Sequence, residues 1–184
     1  MIANLFVISG PSGVGKDTLM AFVLNGIPNL KRWVTVTTRS PREGEIEGVH
    51  YFYKTKEEFL DMVDSDKLVE WNKYSNNYYG TPKDFVVENI NSGNSVITTI
   101  DVNGAMNVKK SFPNANLIFI LPPSIKDLEK RLSDRGTESK EQIANRLSIA
   151  KSELKQAPNF NKQFINDDLQ TCANEIIEYI NQHI

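Results

Sequence analysis

Gly10-Pro11-Ser12-Gly13-Val14-Gly15-Lys16 stands directly behind the apolar run Leu5–Ser9 and in front of a stretch of helical periodicity at residues 17–24. A strand, a glycine-rich turn ending in lysine, and a helix, in that order, are the context of the G-x-x-x-x-G-K phosphate loop. The glycines let the chain turn tightly enough for successive N–H groups to face a phosphate chain. The helix start adds positive potential, and Lys16 is placed to reach β and γ phosphates. A plain glycine-rich turn is the competing reading, and the placement between strand and helix weighs against it. The residue after Lys16, where Ser or Thr usually lends a hydroxyl to Mg²⁺, is Asp17. Magnesium keeps several waters and takes one or two carboxylates plus phosphate oxygens, so Asp17 or the neighbouring Thr18 is expected to serve it through water.

Working outward, the apolar runs at residues 96–100, Asn116–Leu121 and 163–166 are short and β-rich, and longer stretches of helical periodicity separate them. That alternation predicts an α/β protein of the P-loop NTPase type, a parallel sheet flanked by helices. Helix starts are marked by Thr81-Pro82, by Ser124 with Asp127, and by Ser139 with Gln142. From about residue 34 to residue 80 the pattern changes to short extended pieces rich in Thr, Tyr, Gly and charge, which reads as an insertion with its own small sheet. A charged segment at 126–146 reads as a second, helical excursion. The expected parts of this single domain are a core of residues 1–33, 86–123 and 152–184, an inserted lobe at 34–85, and a lid at 124–151.

Composition narrows the function classes. A chain of 184 residues buries one core, and 40% hydrophobic with 24% charged residues is ordinary for a globular protein. Apolar runs such as 117–121 are too short to cross a bilayer and the N-terminus has no secretory pattern, so a cytoplasmic location with no membrane partner is expected. Cys172 stands alone, and His50 and His183 offer no metal spacing with it, so no structural metal is expected. A net charge of −2 gives no general attraction for nucleic acid. Anionic small molecules must therefore be held by local clusters. Oligomeric state is left open.

One such cluster is Thr35-Val36-Thr37-Thr38-Arg39-Ser40-Pro41-Arg42-Glu43-Gly44-Glu45, with two guanidinium groups three residues apart around a proline turn. Arginine forks give bidentate bonds to phosphate oxygens that lysine cannot reproduce, and Thr35 and Tyr51 are available as neutral donors. A solvated basic loop is the alternative for this segment alone. The next segment, Glu70-Trp71-Asn72-Lys73-Tyr74-Ser75-Asn76-Asn77-Tyr78-Tyr79-Gly80-Thr81-Pro82, puts a carboxylate, aromatics and a hydroxyl close together. Guanine has adjacent donors at N1 and N2 and an acceptor at O6, so Glu70 could take both donors while Thr81 gives to O6. Adenine would leave a buried acceptor unpaired. Thr81 could equally cap the helix that Pro82 begins, and the two roles are compatible.

The phosphate loop, the T-T-R-S-P-R-E-G-E segment, Tyr51-Phe52, the E-W…N-Y-Y-G-T segment and Asn166-Asp167-Asp168-Leu169 together resemble guanylate kinase over nearly the whole chain. The resemblance implies transfer of the γ-phosphoryl group of Mg-ATP to GMP, with ATP and GMP as small-molecule partners and Mg²⁺ as cofactor. It implies ATP contacts from residues 10–18, Arg131, Arg135 and Asn166. It implies GMP contacts from Thr35, Arg39, Arg42, Tyr51, Glu70, Tyr79, Thr81 and Asp101. Lys16, Arg39, Arg135 and Arg146 are the implied catalytic groups, the last two carried on the lid.

Asp101 follows a buried-looking strand, at the end where ligands gather in open α/β sheets. It is open to three roles: orienting Mg-bound water, contacting the base, or capping the helix that begins near Asn103-Gly104. Arg131 and Arg135 lie four apart on one helix and by themselves also read as surface charge. Kinases for other phosphorylated acceptors, such as a ribose bisphosphate, look similar, but Glu70 and Thr81 point to a base. A silent phosphopeptide-binding module of this type would have a degraded phosphate loop, and this loop keeps its glycines and its lysine.

Overall fold

The computed structural model describes residues 4–74, 76–134 and 139–184. In chain order its elements are β1 (Leu5–Ser9), α1 (Lys16–Gly26), β2 (Lys31–Arg32), β3 (Thr35–Thr37), β4 (Tyr51–Tyr53), α2 (Lys56–Asp64), β5 (Leu68–Tyr74) and β6 (Asn77–Pro82). There follow α3 (Lys83–Asn91), β7 (Val96–Thr99), α4 (Val102–Ser111), β8 (Asn116–Leu121), α5 (Ile125–Ser133), α6 (Lys140–Leu154), β9 (Lys162–Ile165) and α7 (Leu169–Asn181).

The described residues form two sheets. The larger has five strands in the order β2-β7-β1-β8-β9, every pair parallel. Side chains of a strand alternate between faces, and helices here cover both, so β1 is apolar throughout. Phe6 and Ile8 face α1 and α7, packing with Leu19, Met20, Val23, Ile176 and Ile180. Leu5 and Val7 face α3 and α4, packing with Val86, Val102, Ala105 and Val108. The resulting fold is the mostly parallel α/β P-loop architecture expected. Strand and helix ends differ from the sequence reading by a residue or two: β7 stops at Thr99, β9 spans 162–165, and α1 runs from Lys16 to Gly26.

The smaller sheet, ordered β4-β3-β6-β5, is built from residues 35–82. Its β5–β6 hairpin is antiparallel, β3 joins β6 antiparallel, and β4 joins β3 parallel. The sequence reading took this whole stretch as extended pieces, and α2 corrects it. Thr55 and Glu58 close a capping box at the start of α2, each side chain bonding the other's backbone N–H. Phe59 from this helix fills the space beneath the sheet with Val36 and Leu68. At the other excursion α5 and α6 pack through Leu128, Leu132 and Ala150, and Ser139 with Gln142 makes the second capping box.

Trp33 joins the two sheets. Its ring is buried, meets Phe112 edge-on at 6.3 Å, and its Nε1–H donates to the Pro82 carbonyl at the end of β6, at 2.9 Å. Its own carbonyl accepts from Thr98 Oγ1 on β7, at 3.0 Å. Trp33→Phe should therefore leave a void and an unpaired carbonyl, lowering stability by about 2–3 kcal/mol. A fall in the urea midpoint at unchanged slope would show it, and a midpoint equal to wild type would refute the joining role.

Candidate functional site

The phosphate loop occupies the link between β1 and α1, where the chain must pass close to β8. Gly10 has φ of +143°, and a β-carbon there would sit 2.4 Å from the Ile120 carbonyl oxygen, so only glycine fits without displacing backbone. Gly13 and Gly15 take positive φ as well. Lys16 Nζ donates to the carbonyls of Gly10 at 2.7 Å and Pro11 at 3.1 Å, which folds its side chain back over the loop. Burial lowers its pKa, while the carboxylates of Asp17, Glu153 and Asp101 work in the opposite direction.

This loop and the second sheet open into one cleft of about 220 Å³. Lys16, Asp17 and Thr18 line it together with Gly10, Ser12, Gly13 and Gly15; Pro11 and Val14 are buried behind it. From the second sheet come Thr35, Tyr51, Glu70, Tyr79 and Thr81, from the loop after β3 come Arg39 and Arg42, and from the end of β7 comes Asp101. Arg146 enters from α6 and donates to Ser12 Oγ.

Arg39 lies over the Tyr51 ring, 5.4 Å from its centroid, and Tyr51 meets Tyr79 edge-on at 6.3 Å. Burial raises the Tyr51 pKa, so its hydroxyl is a neutral donor at physiological pH. Arg39 is also paired with Glu45 at 2.8 Å, and that bond outweighs burial to raise the guanidinium pKa further. Glu70 is 8% exposed and Thr81 wholly buried. They face each other across the β5–β6 pairing, and Thr81 Oγ1 donates to Glu70 Oε1 at 2.5 Å. The hydroxyl is thus committed to the carboxylate, and among the described residues no side chain caps α3, so the capping alternative for Thr81 falls. Burial pushes the Glu70 pKa to about 7, aided by the Asp101 charge and opposed by the Thr81 bond. The other Glu70 oxygen lies against the start of α4, where a β-carbon on Gly104 would be 2.9 Å from it.

For Asp101 the capping role is present: Oδ1 accepts from Gly104 N at 2.8 Å, while Oδ2 accepts from Asn72 Nδ2 at 3.2 Å. Arg131 and Asn166 stand outside the cleft lining. Arg131 donates to the carbonyls of Asn166, at 2.8 Å, and Val14, at 3.3 Å. Asn166 Nδ2 also donates to Val14 O, at 2.8 Å. Both brace the outer side of the loop. Arg135 lies outside the described residues.

Sequence reasoning missed three polar groups here. Glu45 was in the quoted segment, and an acid three residues after Arg42 is a signal that could have been used. Asn72 likewise sat unremarked in its segment. Glu153 gave no signal, being one charge among many on a helix. It lines the cleft, accepts from the Ser12 N–H, and has Oε2 without a hydrogen-bond partner among the described residues. Burial raises its pKa against the pull of Lys16.

A phosphate loop at the carboxyl end of the first strand, sharing a cleft with an arginine pocket and a buried carboxylate, defines a P-loop kinase of small phosphorylated acceptors. The guanylate kinase family model matches residues 2–183. A guanylate kinase of Synechocystis sp. is 46% identical over 179 residues, covering 97% of this chain and 94% of that one. A guanylate kinase of Trichodesmium erythraeum is 48% identical over 167 residues, covering 91% and 90%. Among solved structures, a guanylate kinase from Anaplasma phagocytophilum gives a TM-score of 0.82 at 27% identity, covering 99% of this chain and 86% of that chain. A gluconokinase from Sinorhizobium meliloti, at 14% identity and a TM-score of 0.54, shares the fold alone. The chain belongs to the guanylate kinase family.

A carboxyl whose folded pKa is raised favours the folded state when protonated and loses that advantage as pH rises through the folded value. Glu70 should therefore cost stability that accumulates between about pH 4.5, the ordinary value, and about 7, and that is full above it. Glu70→Gln should stabilise the ligand-free protein by on the order of 2–3 kcal/mol at pH 8 and by little at pH 4. Thermal unfolding of both proteins across that range measures it; a gain that does not depend on pH would contradict the buried-charge account.

Proposed function

We propose that this chain is an ATP:GMP phosphotransferase, giving ADP and GDP. The observation that carries the reading is that the phosphate loop and the arginine pocket open into the same cleft, with the buried Glu70 and Thr81 in its lining.

An oxygen of the GMP phosphate attacks the γ-phosphorus of ATP, the bond to the β–γ bridging oxygen breaks, and ADP leaves. The acceptor phosphate is already anionic at neutral pH, so no general base is assigned. What the protein supplies is alignment and positive charge around the equatorial oxygens. Lys16 would leave its loop carbonyls for the β and γ phosphates. Arg39 and Arg42, with the hydroxyls of Thr35, Tyr51 and Tyr79, would hold the acceptor phosphate. Glu70 would take guanine N1–H and N2–H, and Thr81 would swing from Glu70 toward O6. Asp101, a helix cap in this structure, is assigned to the base side of the same cleft. Arg146 and Arg135 would act from the segment 124–151 as lid residues, closing over the inserted lobe 34–85 and excluding water. Arg131 and Asn166, bracing the loop, are assigned to the ATP side.

Among the described residues no group of three or more His, Cys, Asp or Glu forms a metal site. Asp17, Thr18 and Asp101 nevertheless line the cleft with Lys16, a donor set that suits an ion arriving with phosphates and keeping its water. Mg²⁺ bound with ATP would neutralise charge on the β and γ oxygens. No helix among the described residues is long and apolar enough to cross a membrane. Both substrates belong to the free nucleotide pool, and we assign the chain to the cytoplasm on that ground.

ADP release measured with GMP, AMP, CMP, UMP and ribose bisphosphate as acceptors tests the assignment. Turnover should be confined to GMP, and silence with every acceptor would sink it. Lys16→Ala should abolish turnover while GMP binding stays measurable by calorimetry; retained turnover would contradict the role of the loop. The KM for GMP should also rise as pH falls, approaching tenfold per pH unit below about 7 as Glu70 takes its proton. The GMP phosphate titrates near pH 6 as well, so Glu70→Gln is the reference: its profile should keep the phosphate's contribution alone.

A further inference from the structure

We infer that Glu45 is the positioning residue of the acceptor-phosphate site, one carboxylate that holds the Arg39 guanidinium and the Arg42 backbone and ties them to strand β4. The inference rests on the reading of that pocket as the place of the GMP phosphate.

Three separate groups converge on this side chain. Arg39 Nη2 donates to Oε1 at 2.8 Å and Oε2 at 3.0 Å. The backbone N–H of Arg42 donates to Oε2 at 2.7 Å, and the Tyr53 hydroxyl donates to the same oxygen at 2.8 Å. Arg39 and Glu45 are 14% and 16% exposed, so their pairing is only partly screened by water. Burial would raise the Glu45 pKa, yet these donors bring it down to about 2, so the carboxylate is charged at any working pH.

The donor count decides between holding Arg39 and using it up. A guanidinium has five N–H groups. Nη2 serves Glu45, and Nη1 gives one bond to the Ser40 carbonyl at 2.7 Å. Nε–H and the second Nη1–H are not used by those bonds, and Arg39 lines the cleft. Those two donors remain for a phosphate, and the pairing with Glu45 restricts a long, rotamer-rich side chain before any ligand arrives, so less entropy is lost on binding.

The remaining bonds extend the hold. Through Arg42 N it closes the turn from Arg39 to Glu45, and through Tyr53 it ties that turn to β4. On β4, Tyr51 lies opposite Thr35 and Tyr53 opposite Thr37. Thr35 and Tyr51 are themselves expected phosphate donors, so one carboxylate sets the spacing between the arginine turn and the strand pair that carries the hydroxyls.

The test compares Glu45→Gln and Tyr53→Phe with Arg39→Lys in the whole protein, measuring KM for GMP, KM for Mg-ATP and the inhibition constant of guanosine, which has the base and ribose but no phosphate. Glu45→Gln should raise KM for GMP about 10- to 100-fold and Tyr53→Phe about threefold, since charge-assisted bonds are worth more than neutral ones. The ATP and guanosine constants should stay within about twofold, and Glu45→Gln should add little on top of Arg39→Lys, as expected of residues acting as one unit. Parallel losses for GMP, guanosine and ATP would show a merely structural role and overturn the inference. So would an unchanged KM for GMP in both Glu45→Gln and Tyr53→Phe while Arg39→Lys raises it. If Arg39→Lys itself leaves KM for GMP unchanged, the pocket reading fails, and the role of Glu45 with it.

Discussion

Lys16, Arg39, Arg42 and Arg146 face one cleft, and bringing four cations together is the constraint the rest of the site answers. Each repels the others, and Lys16, Arg39 and Arg146 are also drawn partly out of water while Arg42 stays exposed. The answers are local and different. Lys16 lies on two loop carbonyls, Arg39 on Glu45, and Arg146 on Ser12. Asp17, Asp101 and Glu153 supply negative charge around Lys16. The ligand-free site is thus a set of cations held by weak or displaceable partners, which phosphates can replace. Glu45 differs in being bound by several donors at once, and so it belongs to the frame and is not expected to move aside.

The proposed base pocket follows an opposite logic. Glu70 is a carboxylate with Thr81 as its hydrogen-bond partner and Asp101 near enough to repel it, buried where the charged form is disfavoured. In the proposed role, the same exclusion of water that disfavours its charge would make the carboxylate selective, because a base lacking donors at N1 and N2 would leave it unpaired. Gly104 belongs to this arrangement. A β-carbon there would sit 2.9 Å from the Glu70 carboxylate, so glycine lets α4 begin close behind it without moving that side chain.

Both pockets depend on how the second sheet is set against the first. Trp33 spans the junction, bonded to β6 on one side and to β7 on the other. Behind the loop, Arg131 from α5 and Asn166 after β9 converge on the Val14 carbonyl. Helix α5 and the core are in this way joined to the phosphate loop from outside the cleft, while Arg146 and Glu153 of α6 meet it from inside.

The sequence by itself determined the features whose physics is local. A strand, glycines at tight φ and a lysine specify the phosphate loop within a dozen residues, and the spacing of Arg39 and Arg42 around Pro41 marks the arginine cluster proposed to hold the acceptor phosphate. Even α2, read wrongly as extended, was announced by Thr55 and Glu58. Alternating apolar runs were enough for the parallel sheet, since burial on both faces leaves that mark in any order of strands. Only the tertiary structure decided which charge answers which. Glu153 reaches the loop from the far end of a helix, Arg131 and Asn166 turn to the back of the loop, and Asp101 spends its carboxylate on Gly104 and Asn72. Backbone geometry is settled among near neighbours, whereas the desolvation and pairing of charges depend on elements brought together from distant parts of the chain.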